Sequence, residues 1–153
     1  MKLASFVRED MVLADLAATH KDAVIDELAS FVAARTPGVD AATVGRVLKE
    51  REKLASTAVG EGVAIPHGKV AGLEEIVGCV ARSKQGVDFE ALDGRPTHLF
   101  VVLIVPENST GAHLKALARV SRLFKEPRVR ARLLEAADAR AMYAALMEED
   151  AQA

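Results

Sequence analysis

The sequence predicts an α/β protein, a single three-layer domain over residues 1–153 in which a mixed β-sheet is flanked by helices. Three observations carry this expectation. Residues 99–105 (LFVVLIV) form an unbroken apolar run, as in a strand covered on both faces. Helical patterns precede the strand-like segments and further helical patterns follow them, with no internal repeat and no linker-like stretch. Half of the 153 residues are apolar while only 4% are aromatic and none is Trp, so the core is expected to be aliphatic and large enough for one domain.

Taken in order, residues 19–36 read as a helix. Val24, Leu28, Phe31 and Val32 follow near-helical spacing, Thr19 with Asp22 resembles a capping box, and Thr36-Pro37-Gly38 closes the segment. Asp40 caps a second helix with Val44, Val47 and Leu48 in one stripe and charge at its end, residues 49–53. Residues 58–68 are punctuated by glycine, and Val63-Ala64-Ile65 reads as a short strand stopped by Pro66. Residues 76–81 form a further strand, Val87-Asp88-Phe89 another, and Asp93-Gly94-Arg95-Pro96 a turn. After the strand at 99–105, a helix starts near Thr110 with Leu114, Leu117, Ala118, Ser121 and Phe124 on one side. Pro127 suits the first turn of the next helix, and Asp138 caps a last one carrying Met142, Leu146 and Met147.

Composition excludes several function classes. The formal net charge is −2 with both signs interspersed, which gives no electrostatic case for nucleic acid or an anionic membrane surface. The lone cysteine, Cys79, lies in an apolar run, cannot form an internal disulfide, and reads as a buried, inert thiol compatible with a reducing compartment. The N-terminal stretch meets Arg8, Glu9 and Asp10 before any long apolar run and does not read as a signal peptide. No apolar stretch reaches the ~20 residues of a membrane span. The expectation is a cytoplasmic protein with no membrane insertion.

Nucleotide motifs are absent. Gly60-Glu61-Gly62 lacks the third glycine of a dinucleotide fingerprint. Gly68-Lys69 is followed by Val70 where a phosphate-binding loop needs Ser or Thr. Among the four histidines, His20 reads as solvated in a helix's first turn and His98 as structural at the start of the buried strand. His67 follows Pro66 at the end of an apolar strand, a position where α/β folds keep their chemistry. His113 lies in the first turn of the helix after the buried strand, where free N–H groups and the dipole favour an anion. From position alone, both are equally well loop histidines satisfied by backbone partners.

The segment Arg51-Glu52, Ser56-Thr57, then Gly60-Glu61-Gly62-Val63-Ala64-Ile65-Pro66-His67-Gly68 resembles the active-site signature of the enzyme IIA components of the bacterial phosphotransferase system (PTS), in the fructose/mannitol/nitrogen-regulatory (type 2) class. Gly86-Val87-Asp88-Phe89, Leu92-Asp93-Gly94, Val105-Pro106 and His113-Leu114 with Leu117-Ala118 agree in order, so the likeness covers nearly the whole chain. The resemblance implies a mixed sheet flanked by helices and a phosphocarrier in which His67 accepts a phosphoryl group from an HPr-type protein. The group then passes to a IIB component or serves as a regulatory signal, the nitrogen-regulatory branch being favoured because no IIB-like or membrane segment is attached. It assigns a supporting imidazole to His113 and phosphate stabilisation to Arg51, whose forked, permanently charged donors suit it. Arg51 is otherwise a cation favoured at a helix C-terminus. Ser56 and Thr57 add possible phosphate-binding hydroxyls or, equally, loop caps. Neither a cofactor nor a metal is implied.

Two positions depart from the family pattern, which commonly has Gly at Ala58 and Asn at Glu61. Ala58 matters if its backbone needs positive φ, and an inward Glu61 carboxylate would repel a phosphoryl group. Glu61 is expected either to face solvent or to pair with Arg51 or Lys69. These departures support an alternative function, a regulatory binding domain on the same fold that has lost transfer. A metal site of His67, His113 and Glu61 has no local ligand spacing behind it. A docking surface for a carrier should be apolar and surround His67, with Val59, Val63 and Leu114 as candidates, although core packing is the better expectation for Val63 and Leu114.

Overall fold

The computed structural model describes residues 1–153. Its elements in chain order are β1 (Val12–Leu13), α1 (Lys21–Ala34), α2 (Ala41–Leu54), β2 (Ala58–Gly60), β3 (Val63–Ala64), β4 (His67–Val70), β5 (Val77–Val87), β6 (Thr97–Pro106), α3 (Gly111–Phe124), α4 (Pro127–Glu135) and α5 (Ala139–Gln152). Two short 3-10 turns, Leu3–Ser5 and Glu9–Met11, lead into β1.

The strand at the centre explains the layering. β6 is buried along nearly its whole length, and its side chains alternate between two cores. Leu99, Val101 and Leu103 join a cluster of 20 buried residues with α3, α4 and α5, whereas Phe100, Val102 and Ile104 join one of 19 with α1 and α2. Two cores of nearly equal size on opposite faces make the three-layer mixed-sheet α/β fold that the unbroken apolar run implied. The sheet order is β1-β5-β6-β3-β2, with β4 also on β6; β5 runs antiparallel to β6, while β3 and β4 run parallel to it.

Helix ends follow the caps that the sequence offers, with one exception. Asp40 accepts from Thr43 N at 2.8 Å and Asp138 from Ala141 N at 2.8 Å, and Pro127 opens α4. The capping box at Thr19 is not formed. Helix α1 begins at Lys21 because Ala17 and Ala18 donate to the Glu27 carboxylate and His20 bridges to Asp88, which keeps 17–20 extended. His20 is therefore the exposed residue before the helix rather than part of its first turn.

The strand at 63–65 also differs. Pairing to β6 lapses at Ile65 and Pro66 and then resumes in the same register, with Val63 opposite Leu99 and His67 opposite Leu103. Proline has no N–H to pair, so it interrupts the ladder without ending the strand line. The strand expected at 76–81 runs on through Arg82-Ser83-Lys84-Gln85 to Val87 as β5, with a register shift between Arg82 and Val87. The strand expected at 87–89 therefore does not form: Asp88 makes only an isolated bridge to His20, and Phe89 lies outside the sheet. On α3 the buried face is Ala116, Val120, Leu123 and Phe124; Ala118 is exposed and Leu114 is 63% exposed. The expected stripe is thus rotated, and its Leu114 edge faces solvent. No helix is long and apolar enough to cross a membrane.

Candidate functional site

His67 begins β4 directly after the Pro66 break rather than lying in a loop beyond a strand end. Its half-buried ring is pinned by Nδ1, which donates to the Ile65 carbonyl at 2.7 Å. A carbonyl can only accept, so the ring proton sits on Nδ1 and Nε2 carries the lone pair. Burial holds the His67 pKa below its ordinary 6.5; the Ile65 bond and the Glu52 carboxylate act upward, and Arg51 acts with burial. The imidazole is therefore neutral at neutral pH.

α2 comes unusually close to β4 at this point. A Cβ on Gly68 would lie 2.3 Å from a Val47 methyl carbon, so only glycine permits the approach. The last turn of α2 consequently brings its charges to the histidine. Arg51 Nη1 donates to Ala55 O at 2.9 Å, a C-terminal cap, and the guanidinium also acts on His67. Arg51 thus occupies the helix-end position expected of a cation and is also close enough to act on the imidazole.

His113 is the third residue of α3, and its ring centroid lies 5.5 Å from that of His67 at an interplanar angle of 63°. Its Nε2 is buried and meets no hydrogen-bond partner in the protein. Burial lowers its pKa, with His67 and Lys69 adding in the same direction. The Thr110 side chain makes no cap bond, so it leaves the first-turn N–H groups of α3 uncapped.

The hydroxyls of the 56–57 pair are engaged within the loop. Ser56 Oγ donates to Phe89 O at 2.7 Å and accepts from Ala58 N at 3.1 Å. Thr57 is buried and donates its hydroxyl to Glu52. Glu52 itself, which continues the Val44–Leu48 stripe by one further helical step, is buried at the site although it is charged. A carboxylate on an apolar stripe was the signal that sequence reasoning left unused.

Glu61 faces solvent, one of its two expected placements, with its side chain 64% exposed. Its carboxylate lies 3.4 Å from Arg130 and 3.6 Å from Arg95 rather than pairing with Arg51 or Lys69. Its backbone is left-handed at φ 60°, a conformation that asparagine tolerates better than glutamate. Ala58 is a buried β2 residue without positive φ, so glycine is not required there. No group of three or more His, Cys, Asp or Glu side chains is gathered to hold a metal ion, and Glu61 does not join the histidine pair. His98 Nδ1 donates to Ser83 O at 2.9 Å, the structural role expected, and burial pushes the Cys79 thiol up to about 12.

Of the apolar candidates around His67, Val59 is 62% exposed and Val63 is buried. Leu114 is a correction, since it stands in solvent rather than in the core. Val59 and Val63 line a groove that also takes in Glu61, Ile65, Phe124 and Lys125.

Two lowered histidines set the direction of a pH effect. In the unfolded chain both return to about 6.5, so it binds more protons than the folded protein just below that pH. Their contribution to stability is complete above about 6.5 and is lost as pH falls through the lowered folded values. NMR titration of the His67 ring should give a midpoint below 6.5, and urea midpoints should fall between neutral pH and about pH 5. A His67 midpoint at or above 6.5 contradicts the burial argument.

The sequence matches the family "Phosphoenolpyruvate-dependent sugar phosphotransferase system, EIIA 2" over residues 5–149. The chain belongs to this family. A nitrogen regulatory protein of Bradyrhizobium diazoefficiens is 42% identical over 146 residues, 95% of each chain. The crystal structure of the nitrogen regulatory protein IIA-Ntr from Neisseria meningitidis superposes with a TM-score of 0.87 at 33% identity, covering 94% of this chain and 98% of that one. The complex of enzyme IIAMTL and phosphorylated enzyme IIBMTL from Escherichia coli contains the same fold at 18% identity, with a TM-score of 0.74 and coverage of 94% and 99%.

Proposed function

We propose that the protein is a phosphocarrier in which His67 Nε2 accepts a phosphoryl group from the phosphohistidine of an HPr-type protein. The single observation that carries this is the pinned, neutral imidazole, whose Nε2 carries the lone pair and whose ring lies beside that of His113, itself with an unpartnered Nε2. In the transfer, the Nε2 lone pair forms the new N–P bond as the donor's N–P bond breaks and its electron pair returns to the donor ring. No metal or nucleotide takes part in that exchange. Arg51, His113 and the open N–H groups of α3 balance charge on the equatorial oxygens, and that balance is where catalysis of phosphoryl transfer resides. Ser56 and Thr57 support the loop rather than the phosphate in this reading, because their hydroxyl protons are already committed.

Onward use is either donation to a IIB component or a regulatory signal. The nitrogen-regulatory relatives favour the signal, in which about −1.5 to −2 charges added at His67 change a partner's affinity. The test is incubation of the full chain with enzyme I, an HPr-type carrier of either branch and radiolabelled phosphoenolpyruvate. Acid-labile label on the His67 peptide is expected; a chain that stays unlabelled with a competent donor overturns the proposal.

Glu61 gives a second measurable consequence. Because its carboxylate faces Arg95 and Arg130, Glu61→Asn should leave the half-life of phospho-His67 unchanged. The same change relieves left-handed strain and should raise stability by about 0.5–1 kcal/mol, since exposed ion pairs contribute little. A half-life lengthened several-fold would mean that Glu61 reaches the phosphoryl group.

A further inference from the structure

Glu52 is an expensive residue to bury. The stripe it extends, Val44 and Leu48, is apolar, and a buried carboxylate loses hydration worth several kcal/mol unless its oxygens are fully bonded. Here they are. One oxygen accepts the Thr57 backbone N–H at 3.1 Å and lies 3.1 Å from Lys21 Nζ, while the other accepts the Thr57 hydroxyl. Lys21 in turn bonds Glu90 at 2.9 Å and stands 4.8 Å from the centroid of the Phe89 ring. An apolar residue in place of Glu52 would hold α2 on the sheet without these partners, so packing alone does not call for a carboxylate.

The bonds continue toward the histidine. Thr57 O accepts from Ile65 N at 3.2 Å, and Ile65 O accepts from His67 Nδ1 at 2.7 Å. Ile65 precedes Pro66, which restricts its ψ, so fixing the Ile65 N–H also fixes the direction of its carbonyl. On the far side, Pro66 O accepts from Leu103 N at 3.0 Å, which anchors the break to β6.

We propose that Lys21, Glu52 and Thr57 form a positioning chain that sets the tautomer and orientation of the His67 ring through the Ile65 backbone. These residues do not touch the phosphoryl group; they keep the ring proton on Nδ1 and so keep Nε2 available. The inference rests on His67 being the phosphoacceptor for its consequence, but not for its geometry.

The test uses the full chain labelled with 15N-histidine. Long-range 1H–15N spectra identify the protonated ring nitrogen, and carrier-dependent labelling gives the phosphorylation rate. In the wild type the proton is expected on Nδ1. Thr57→Val and Glu52→Gln should each give a mixture of tautomers and slow phosphorylation by about 10- to 100-fold, the usual cost of removing an orienting partner behind a working histidine. Thr57→Ser, which keeps the hydroxyl, should restore both readouts. A folded Thr57→Val protein with the wild-type tautomer and rate overturns the proposal, and this variant decides the matter if Glu52→Gln does not fold. If the wild type takes no label while the variants shift the tautomer, the phosphoacceptor reading fails and the positioning chain stands. Slow labelling with an unchanged tautomer would assign Thr57 to support of the loop and also overturns the chain.

Discussion

Replacing His67 with alanine should abolish acid-labile phosphorylation, while His113→Ala should slow it by about 100-fold or more in a protein at least as stable as the wild type. The two histidines lie 5.5 Å apart, yet they are held differently. His67 has its Nδ1 committed to Ile65 and offers one nucleophilic nitrogen. His113 is neutral as well, but its Nε2 is buried, so the loss of His67 removes the accessible nitrogen that would form the N–P bond. His113 has a buried Nε2 without a partner, an arrangement that costs about 1–3 kcal/mol in a resting protein. A phosphoryl oxygen on His67 would relieve that cost, which makes the interaction stronger after transfer than before it. Interactions of this kind accelerate a reaction, because they do not stabilise the ground state equally. Alanine at position 113 removes both the unpaired nitrogen and the help, and it favours the first turn of α3. Labelling time courses with urea unfolding of both variants check this pair of outcomes. A His113→Ala rate within threefold of wild type would show that Arg51 and the helix N-terminus suffice.

How much of this was legible in the sequence depends on whether local pattern or tertiary context decides each residue. The apolar run in β6 announced a strand covered twice, because burial on both faces leaves no alternation to misread. Asp40, Pro127 and Asp138 act within their own helix turns and were readable for the same reason. Thr19 was not, because Glu27 and Asp88 compete from elsewhere for the backbone before α1. The position proposed for the phosphoacceptor came from the pattern around Pro66-His67-Gly68, but the ring's tautomer depends on where the Ile65 carbonyl points, and that follows only from β2 pairing with β3. On α3, Leu114 and Leu117 offered as good a stripe as Ala116 and Val120. Which of the two faces the sheet is decided by how the helix is seated, which buries Leu123 and Phe124 with Ala116 and Val120 and leaves Leu114 in solvent. Glu52 and Arg82 share one cause. A charged residue in the core looks like a surface residue until its partners are brought to it from other segments.

Arg82 carries the largest expected effect on stability. It is 1% exposed and lies in β5, opposite Leu99 of β6. No carboxylate pairs with it. Nε donates to Ala14 O at 3.2 Å, and Nη1 donates to Leu133 O at 2.9 Å and Ala136 O at 2.7 Å, with a longer 3.5 Å contact to Leu134 O, while Nη2 has no partner. The negative end of α4 therefore takes the place of a counter-ion, and one guanidinium joins β5, the segment after β1 and the end of α4. Two effects oppose each other in Arg82→Met. Removing the cation releases its desolvation cost, several kcal/mol, which favours the variant. Losing it forfeits three charge-assisted bonds worth about 1.5–3 kcal/mol each and strands the carbonyls of Ala14, Leu133 and Ala136 among apolar neighbours at about 1–3 kcal/mol each. Fraying of α4 lets some of those carbonyls reach water and limits the loss. The balance is a net destabilisation of about 3 kcal/mol, read as a lower urea midpoint. Arg82→Ala should cost more, because it adds a cavity to the same losses. Phosphorylation of His67 in the folded fraction should be unchanged, since β4 pairs with β6 at Leu103 to Pro106, away from Leu99. A methionine variant as stable as the wild type would mean that the desolvation cost of the unpaired cation equals everything its carbonyl partners return.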